Sequence, residues 1–455
     1  MITAMVSLKV KKGALSRVAT ELSAIEEVSE VYSTTGTYDL LAQVQVHEYE
    51  NLSDVVNDKI ANLPGIRDTR TVTAFKQYKF RRLDAGGAPA LDTAPGAPGD
   101  AGSEAAQSQL ARGRRAIAPI LAKLSDNFNL DRAEISAVIA AINAGELSDV
   151  QIAGFLVGLT TKGPTVQEVA AIAEAMRRVA VPFSVEVAGE LSDTCGTGGG
   201  LTTFNVSSAN AILSAAAGVK VAKHGSRSIS SSSGSADVLE ALGIDIDSTP
   251  EQAARLLETV GVAFLHAPTF HPIMGRVFGP ENELGIKSIF FTIIGPLINP
   301  AGARNHSMGV YKPELVSMMA QVVAEMDFNH VLIAHGLDGL DELSLLGRTS
   351  IADVHRGRIR YYELTPEDVG LRRCTIEDLT GGTPEQNARI IRDIFTGAET
   401  GPRRDMLLLN CGATLYVNDK AATIADGVAL ARQVLDSGAA NAKLDELIAA
   451  SRAQA

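Results

Sequence analysis

The chain has 455 residues, 45% hydrophobic and 21% charged, with a net charge of −12 and three cysteines. That length exceeds one ordinary core and predicts two or three domains, while the composition excludes a disordered chain and the acidic balance disfavours general nucleic-acid binding. Cys195, Cys374 and Cys411 have no paired spacing, which argues against a disulfide framework or a zinc site. No apolar run reaches the length of a membrane span, and "MITAMVSLKVKKG" alternates like a strand instead of building a signal-peptide core, so a cytoplasmic protein is expected.

Residues 1–80 read as β-α-β-β-α-β. Val6, Leu8 and Val10 alternate as in a half-buried strand, whereas Leu15, Val18, Ala19 and Leu22 follow the helical period. Two further strands flank a turn at Gly36, Leu52, Val55, Val56, Ile60 and Leu63 line a second helix face, and "DTRTVTAF" closes as a strand after Pro64-Gly65. The order predicts a ferredoxin-like α+β domain. Within it, "VYSTTGTYDLLAQV" and "LPGIRDTRTVTAFK" resemble the ligand-binding domain of the Lrp/AsnC family. The resemblance implies dimerisation and an amino-acid effector; DNA reading is not expected, because no helix-turn-helix fits ahead of the first strand.

Residues 81–112, rich in Ala, Gly, Pro and Asp, read as a flexible tether. Residues 113–185 read as a helical domain, in which Gly163-Pro164-Thr165 starts a helix whose inner face carries Val169, Ile172, Ala173 and Met176. From 186 to 455, apolar strand-like runs such as "AGVKVAKHG" and "HVLIAHG" alternate with amphipathic helices, which predicts a larger α/β domain ending in helices.

Three stretches of that domain carry chemistry. "DTCGTGGGLTTFNVSSANA" puts a glycine-rich turn between a strand and a helix, where backbone N–H groups can meet an anion. "VAKHGSRSISSSSGSADVLEALG" supplies Lys223, His224, Arg227 and a serine run suited to phosphate oxygens. "AHGLDGLDELSLLG" places Asp341 and Glu342 in a turn after an apolar strand, where hard oxygen ligands can hold Mg²⁺. Taken singly, each fits a plain turn, a solvated loop or a helix N-terminal charge pair.

Taken together with "GPLINP", they resemble anthranilate phosphoribosyltransferase and its wider glycosyltransferase family, from about Ile117 to Ser451. The resemblance implies a helical domain against an α/β domain of the phosphoribosyltransferase and nucleoside phosphorylase type, a cleft site, a homodimer and a place in tryptophan biosynthesis. It places the pyrophosphate loop on Gly196, Thr197, Gly198 and Gly199, and further donor contacts on Thr203, Asn205, Ser207, Lys223, His224, Ser226, Arg227 and Ser231. It places Mg²⁺ on Asp341 and Glu342, with Ser207 beside them. The implied reaction moves the phosphoribosyl group of phosphoribosyl pyrophosphate to a small amine or ring nitrogen.

Three departures stand out. The loop lacks the acid of the family's Gly-Thr-Gly-Gly-Asp-Gly, Ser226 replaces an asparagine, and "GPENELG" puts Glu281 or Asn282 where the family grips a carboxylate with arginine. Expected consequences are poor use of anthranilate, or rescue of the grip by Arg276 or Arg304. His266 and His271 fall where the family lines its acceptor pocket, as ligand contacts or as packed side chains, and His335 reads as structural. Alternative readings are a nucleoside phosphorylase and a non-catalytic nucleotide- or nucleic-acid-binding homologue.

Overall fold

The computed structural model describes residues 2–11, 13–25, 27–33, 38–46, 55–74, 116–228 and 233–453. It divides into two units, Met1–Pro98 and Gly99–Ala455. The tether expected at 81–112 and the turn at Gly36 lie outside the described residues.

Period-two alternation builds the first unit. Strand β1 (Ile2–Val10) sends Ala4, Val6, Leu8 and Val10 into the core. It pairs antiparallel with β3 (Leu40–Val46) and β4 (Ile66–Ala74), and β2 (Val28–Ser33) pairs with β3, giving the order β2-β3-β1-β4 of a ferredoxin-like sheet. Helix α1 (Leu15–Ser23) buries Val18 and Leu22, but Leu15, expected on the same face, is 39% exposed at the helix start. The expected second helix is described only as a π-type turn, Val55–Ile60, whose Val55, Val56 and Ile60 are buried; Leu52 lies outside the described residues.

In the second unit, helical residues 116–125 precede α2 (Arg132–Asn143), α3 (Asp149–Lys162) and α4 (Val166–Val179). Each of these three helices opens on a capping box, Asp131 with Glu134, Ser148 with Gln151 and Thr165 with Glu168, in which the two side chains satisfy amides that the first turn leaves orphaned. Glu168 does more than cap. It is fully buried, accepts the amide of Leu130 at 2.8 Å and pairs with Lys162 at 2.7 Å, joining the start of α2 to the end of α3. Val169, Ile172, Ala173 and Met176 are buried beside it.

The α/β part carries a seven-stranded sheet in the order β11-β10-β9-β8-β5-β6-β7. Its strands are β5 (Leu191–Asp193), β6 (Lys220–Gly225), β7 (Val262–His266), β8 (Asn305–Gly309), β9 (His330–Gly336), β10 (Thr349–His355) and β11 (Arg358–Leu364). The strands from β9 to β7 are parallel, whereas β10 and β11 add an antiparallel edge. All seven residues of β9 are buried, as a strand covered on both faces requires. Helix α5 (Val206–Ala216) follows β5, α6 (Ile273–Leu284) follows β7, and α7 (Pro402–Val417) packs on α5. No helix among the described residues is long and apolar enough to cross a membrane.

Replacing Glu168 by Ala would leave buried Lys162, still bonded to Asn129 Oδ1 and Gly163 O, without its counter-charge and the Leu130 amide without its acceptor. We expect Glu168→Ala to lower stability by about 3–5 kcal/mol, measured by denaturant unfolding of the full chain.

Candidate active site

The sheet order reverses at β5, whose neighbours β6 and β8 lie on opposite sides, and ligands of open α/β sheets bind outside the carboxyl ends of the strands at such a point. The glycine loop leaves β5 there. Its base is fixed by Asp193, fully buried, whose Oδ1 accepts the amides of Thr194 (2.7 Å), Cys195 (3.0 Å) and His224 (3.2 Å) and whose Oδ2 accepts Asn299 Nδ2 (2.7 Å). Nε2 of His306 completes the seat by donating to the Cys195 carbonyl at 2.7 Å.

Beyond that seat the loop lies against the ends of β8 and β9. Thr197 donates its amide to Gly309 O (2.9 Å) and accepts the Tyr311 amide on its hydroxyl (3.1 Å), while the Leu201 amide reaches Gly339 O (3.1 Å). Gly198 and Gly199 take positive φ, 65° and 91°, where a side chain is strained. Two further glycines are needed for space. A Cβ on Gly309 would overlap the Asp341 carbonyl, and one on Gly200 would stand 2.5 Å from Asp341 Oδ1. The backbone of the loop at Gly200 thus lies directly against Asp341.

A single cleft collects most of the expected residues: Gly196, Thr197, Gly198, Gly199, Thr203, Asn205, Ser207, Lys223, His224, Ser226, Arg227, Asp341 and Glu342 all line it. Ser231 lies outside the described residues. Lys223 is buried and donates to Ser207 Oγ at 3.4 Å. Asn205 spends its amide on protein: Nδ2 donates to Ser233 O, and Oδ1 accepts Ser233 Oγ and Asn387 Nδ2. Arg227 likewise pairs with Asp237 and Glu240. The acidic turn is clamped by Asn410 of α7, which accepts the Leu343 amide and donates to the Leu343 carbonyl, both at 3.1 Å. Asp193, Gly309, Asn387 and Asn410 were not singled out from sequence; an aspartate ending a strand just before a glycine run was the one local signal.

Charge is confined at this turn. Burial raises the Asp341 carboxyl above its ordinary range, and burial with the neighbouring Asp341 raises Glu342 further. Glu342 Oε2 is buried with no hydrogen-bond partner, the state a hard cation would relieve. Among the described residues no cluster of three or more His, Cys, Asp and Glu could hold a metal alone, so a cation here would complete its shell with substrate oxygens and water. Burial pushes the Cys195 thiol up to about 12, which removes the thiolate that a nucleophile would need.

The far end of the cleft is apolar, with Pro268, Pro272, Met274, Phe278 and Phe290. His224 and His271 also line it, their rings edge to face at 5.2 Å. Nδ1 of His224 donates to Gly295 O (3.1 Å) and Nε2 of His271 to Ile298 O (2.8 Å), and burial depresses both imidazoles, so they are neutral. His266 lines the cleft near Asp247, and His335 is buried against Val310 O.

The two arginines expected as substitutes are elsewhere. Arg276 reaches back to Leu147 O, and Arg304 pairs with Glu190 and Asp327; neither lines the cleft. Glu281 does not line it either. It is 2% exposed and accepts the Ser288 amide at 2.8 Å, tying the end of α6 to the following turn instead of facing an acceptor.

Comparison with known proteins follows this geometry. The sequence model described as glycosyl transferase family, a/b domain matches residues 188–441, the helical bundle domain of the same family matches 118–180, and the Lrp/AsnC ligand binding domain matches 3–84. The chain belongs to the glycosyl transferase family. It is similar to anthranilate phosphoribosyltransferase of Acetivibrio thermocellus, 45% identical over 72% of this chain and 94% of the relative, and to that of Haloarcula marismortui, 46% identical over 72% and 98%. The crystal structure of the enzyme from Thermus thermophilus is 42% identical with a TM-score of 0.69, covering 73% of this chain and 99% of that one. The enzyme from Saccharomyces cerevisiae in complex with PRPP and Mg is 24% identical with a TM-score of 0.66, covering 76% and 98%, and shares the fold.

Two outcomes are expected. Gly309→Ala should cost about 1–3 kcal/mol, as overpacking against fixed backbone does, and should displace the Asp341–Glu342 turn, seen as lower melting temperature and weaker Mg²⁺ response. For Glu281, burial raises the carboxyl above its ordinary value of 4.5 against the opposing bond from Ser288. A raised acid binds its proton more tightly when folded, so it destabilises the fold as pH climbs past 4.5. Glu281→Gln should therefore gain stability relative to the parent between pH 4 and pH 8; equal unfolding free-energy differences at both pH values would contradict this.

Proposed function

We propose that the chain is a Mg²⁺-dependent phosphoribosyltransferase that moves the phosphoribosyl group of phosphoribosyl pyrophosphate to the amine of anthranilate. The observation that carries this reading is the convergence of the glycine loop, buried Lys223 and the Asp341–Glu342 turn in one cleft at the switch point of the sheet. The names of relatives more than 40% identical along almost their whole length support the substrate pair.

Gly196, Thr197, Gly198 and Gly199, with Ser207 and Lys223, form the half of the cleft assigned to pyrophosphate. Asp341 and Glu342 would hold Mg²⁺, which supplies neutralisation of the departing pyrophosphate charge. Lys223 stabilises the same developing negative charge from the β6 side, in a site where burial strengthens it. The apolar end stacks an aromatic ring, and the fixed cleft brings its nitrogen to the anomeric carbon as the bond to pyrophosphate breaks, with no covalent enzyme intermediate. Asn205 acts through Ser233 and Asn387, holding the glycine-loop helix against the serine loop. The buried acidic pair favours this reading over a nucleoside phosphorylase or a non-catalytic nucleic-acid-binding homologue. For the first unit we assign binding of an amino-acid effector and self-association, in line with its Lrp/AsnC match.

Titration calorimetry with phosphoribosyl pyrophosphate, with and without Mg²⁺, tests the donor half. Asp341→Ala with Glu342→Ala should abolish the Mg²⁺-dependent gain in affinity, expected to be at least about tenfold, or about 1.4 kcal/mol. An undiminished Mg²⁺ effect in the double variant refutes the assignment. Saturable pyrophosphate release with anthranilate tests the acceptor half.

A further inference from the structure

The wall of the cleft beside Asn205 is made by two short stretches of chain, 226–228 and 233–235, all of whose residues line it. The two stretches lie in direct contact. A Cβ added to Gly234 would stand 2.3 Å from the Ser228 nitrogen and 2.9 Å from the Ser226 carbonyl oxygen, and the Ala236 amide donates to that same carbonyl at 3.2 Å. Asn205 holds the second stretch from the glycine-loop side, donating to Ser233 O and accepting Ser233 Oγ. Behind the wall stands Asp237, which does not itself line the cleft. Its Oδ2 accepts the amides of Ser228 and Gly234, each at 2.9 Å, and its Oδ1 accepts Arg227 Nη1 at 3.2 Å.

One carboxylate thus joins both stretches. An acid at the third position of a helix commonly accepts the amide at the helix start, and Asp237 does this for Gly234 at the head of the helix Ser235–Ala241. The bond to Ser228, nine residues back, is no part of a cap; it closes the wall. Burial works against the charge, yet the two amides and Arg227 hold the carboxyl below its ordinary range, so it is ionised at neutral pH. A negative charge behind a wall that meets phosphate is unfavourable unless it is neutralised, and Arg227, which also pairs with Glu240, supplies the opposite charge. We propose that Asp237 is a positioning residue for phosphoribosyl pyrophosphate: by fastening Ser228 to Gly234 it sets the cleft wall beside Asn205 against which the donor lies, and Arg227 serves that fastening. This deepens the transfer reading above and rests on it.

The test measures pyrophosphate release with anthranilate and Mg²⁺ for the parent, Asp237→Ala, Asp237→Asn and Glu240→Gln. Asp237→Ala removes the shared acceptor and should raise the KM for phosphoribosyl pyrophosphate about tenfold, the scale of one charge-assisted hydrogen bond, with kcat within about threefold and the KM for anthranilate unchanged. A fold that is only weakened loses active molecules, which lowers kcat and leaves KM in place, so this split separates positioning from stability. Asp237→Asn keeps an oxygen for the two amides and should hold the donor KM within about threefold of the parent; Glu240→Gln leaves both amide bonds in place and should match the parent. An unchanged donor KM in Asp237→Ala, or an equal rise in Asp237→Ala and Asp237→Asn, overturns the proposal. If Asp237→Ala does not fold, Asp237→Glu, which keeps the charge and the cap but moves the carboxylate by one methylene, takes its place; a raised donor KM is expected, and an unchanged one counts against the proposal in the same way. Calorimetry with phosphoribosyl pyrophosphate and Mg²⁺ keeps the two readings apart: no binding to the parent ends the transfer reading and this proposal with it, whereas equal affinity for parent and Asp237→Ala ends this proposal alone.

Discussion

The buried carboxylate of Asp193 is the contact on which the rest of the site depends. One oxygen takes three amides from two strands' ends, and the other takes Asn299, which also donates to Ala222 O. A carboxylate out of water is costly unless every lone pair is used, and here that cost is offset by bonds that fix β5, β6 and the 295–299 loop to one another. The glycine loop can then take the positive φ of Gly198 and Gly199 from a root fixed by these bonds. His306 and His224, both kept neutral by burial, act as donors to carbonyls at the same seat and add no competing charge.

A second layer of constraint comes from far along the chain. Asn410 reads the Leu343 peptide from both sides, and Asn210 of α5 donates to Thr414 and to the Asn410 carbonyl, so the acidic turn, α5 and α7 form one polar seam in an otherwise apolar core. Such a seam is fully satisfied or damaging, and here each amide finds partners. The acidic turn is thereby held by α7, while Ser207 at the start of α5 is met by Lys223 of β6.

What was legible in the sequence divides by range. The helix start at Thr165 and the strand alternation of Val6, Leu8 and Val10 are local patterns, and both are seen in the structure. The glycine loop, Lys223 and the acidic pair could be picked out because their residue types are unusual in close succession, and they do meet in one cleft. Asn205 was legible as a position but not in its partners, since Ser233 and Asn387 stand 28 and 182 residues away. Glu281 shows the same limit: its identity suggested a repelled carboxylate, but whether it faced solvent, ligand or protein was set by a turn seven residues on.

The sheet's arrangement also bears on how the chain reaches this state. Pairing β5 with β8 brings Ser192 to Asn305 and Asp193 to His306, contacts closed over more than a hundred intervening positions, a non-local pairing of the kind whose loop-closure entropy slows folding. The hairpin of β10 and β11 spans a tight Arg356–Gly357 turn and can form early. Its outer strand exposes Arg358, Arg360 and Glu363, charges that oppose edge-to-edge stacking with another copy. One border of the sheet thus carries a charged rim in place of an apolar one.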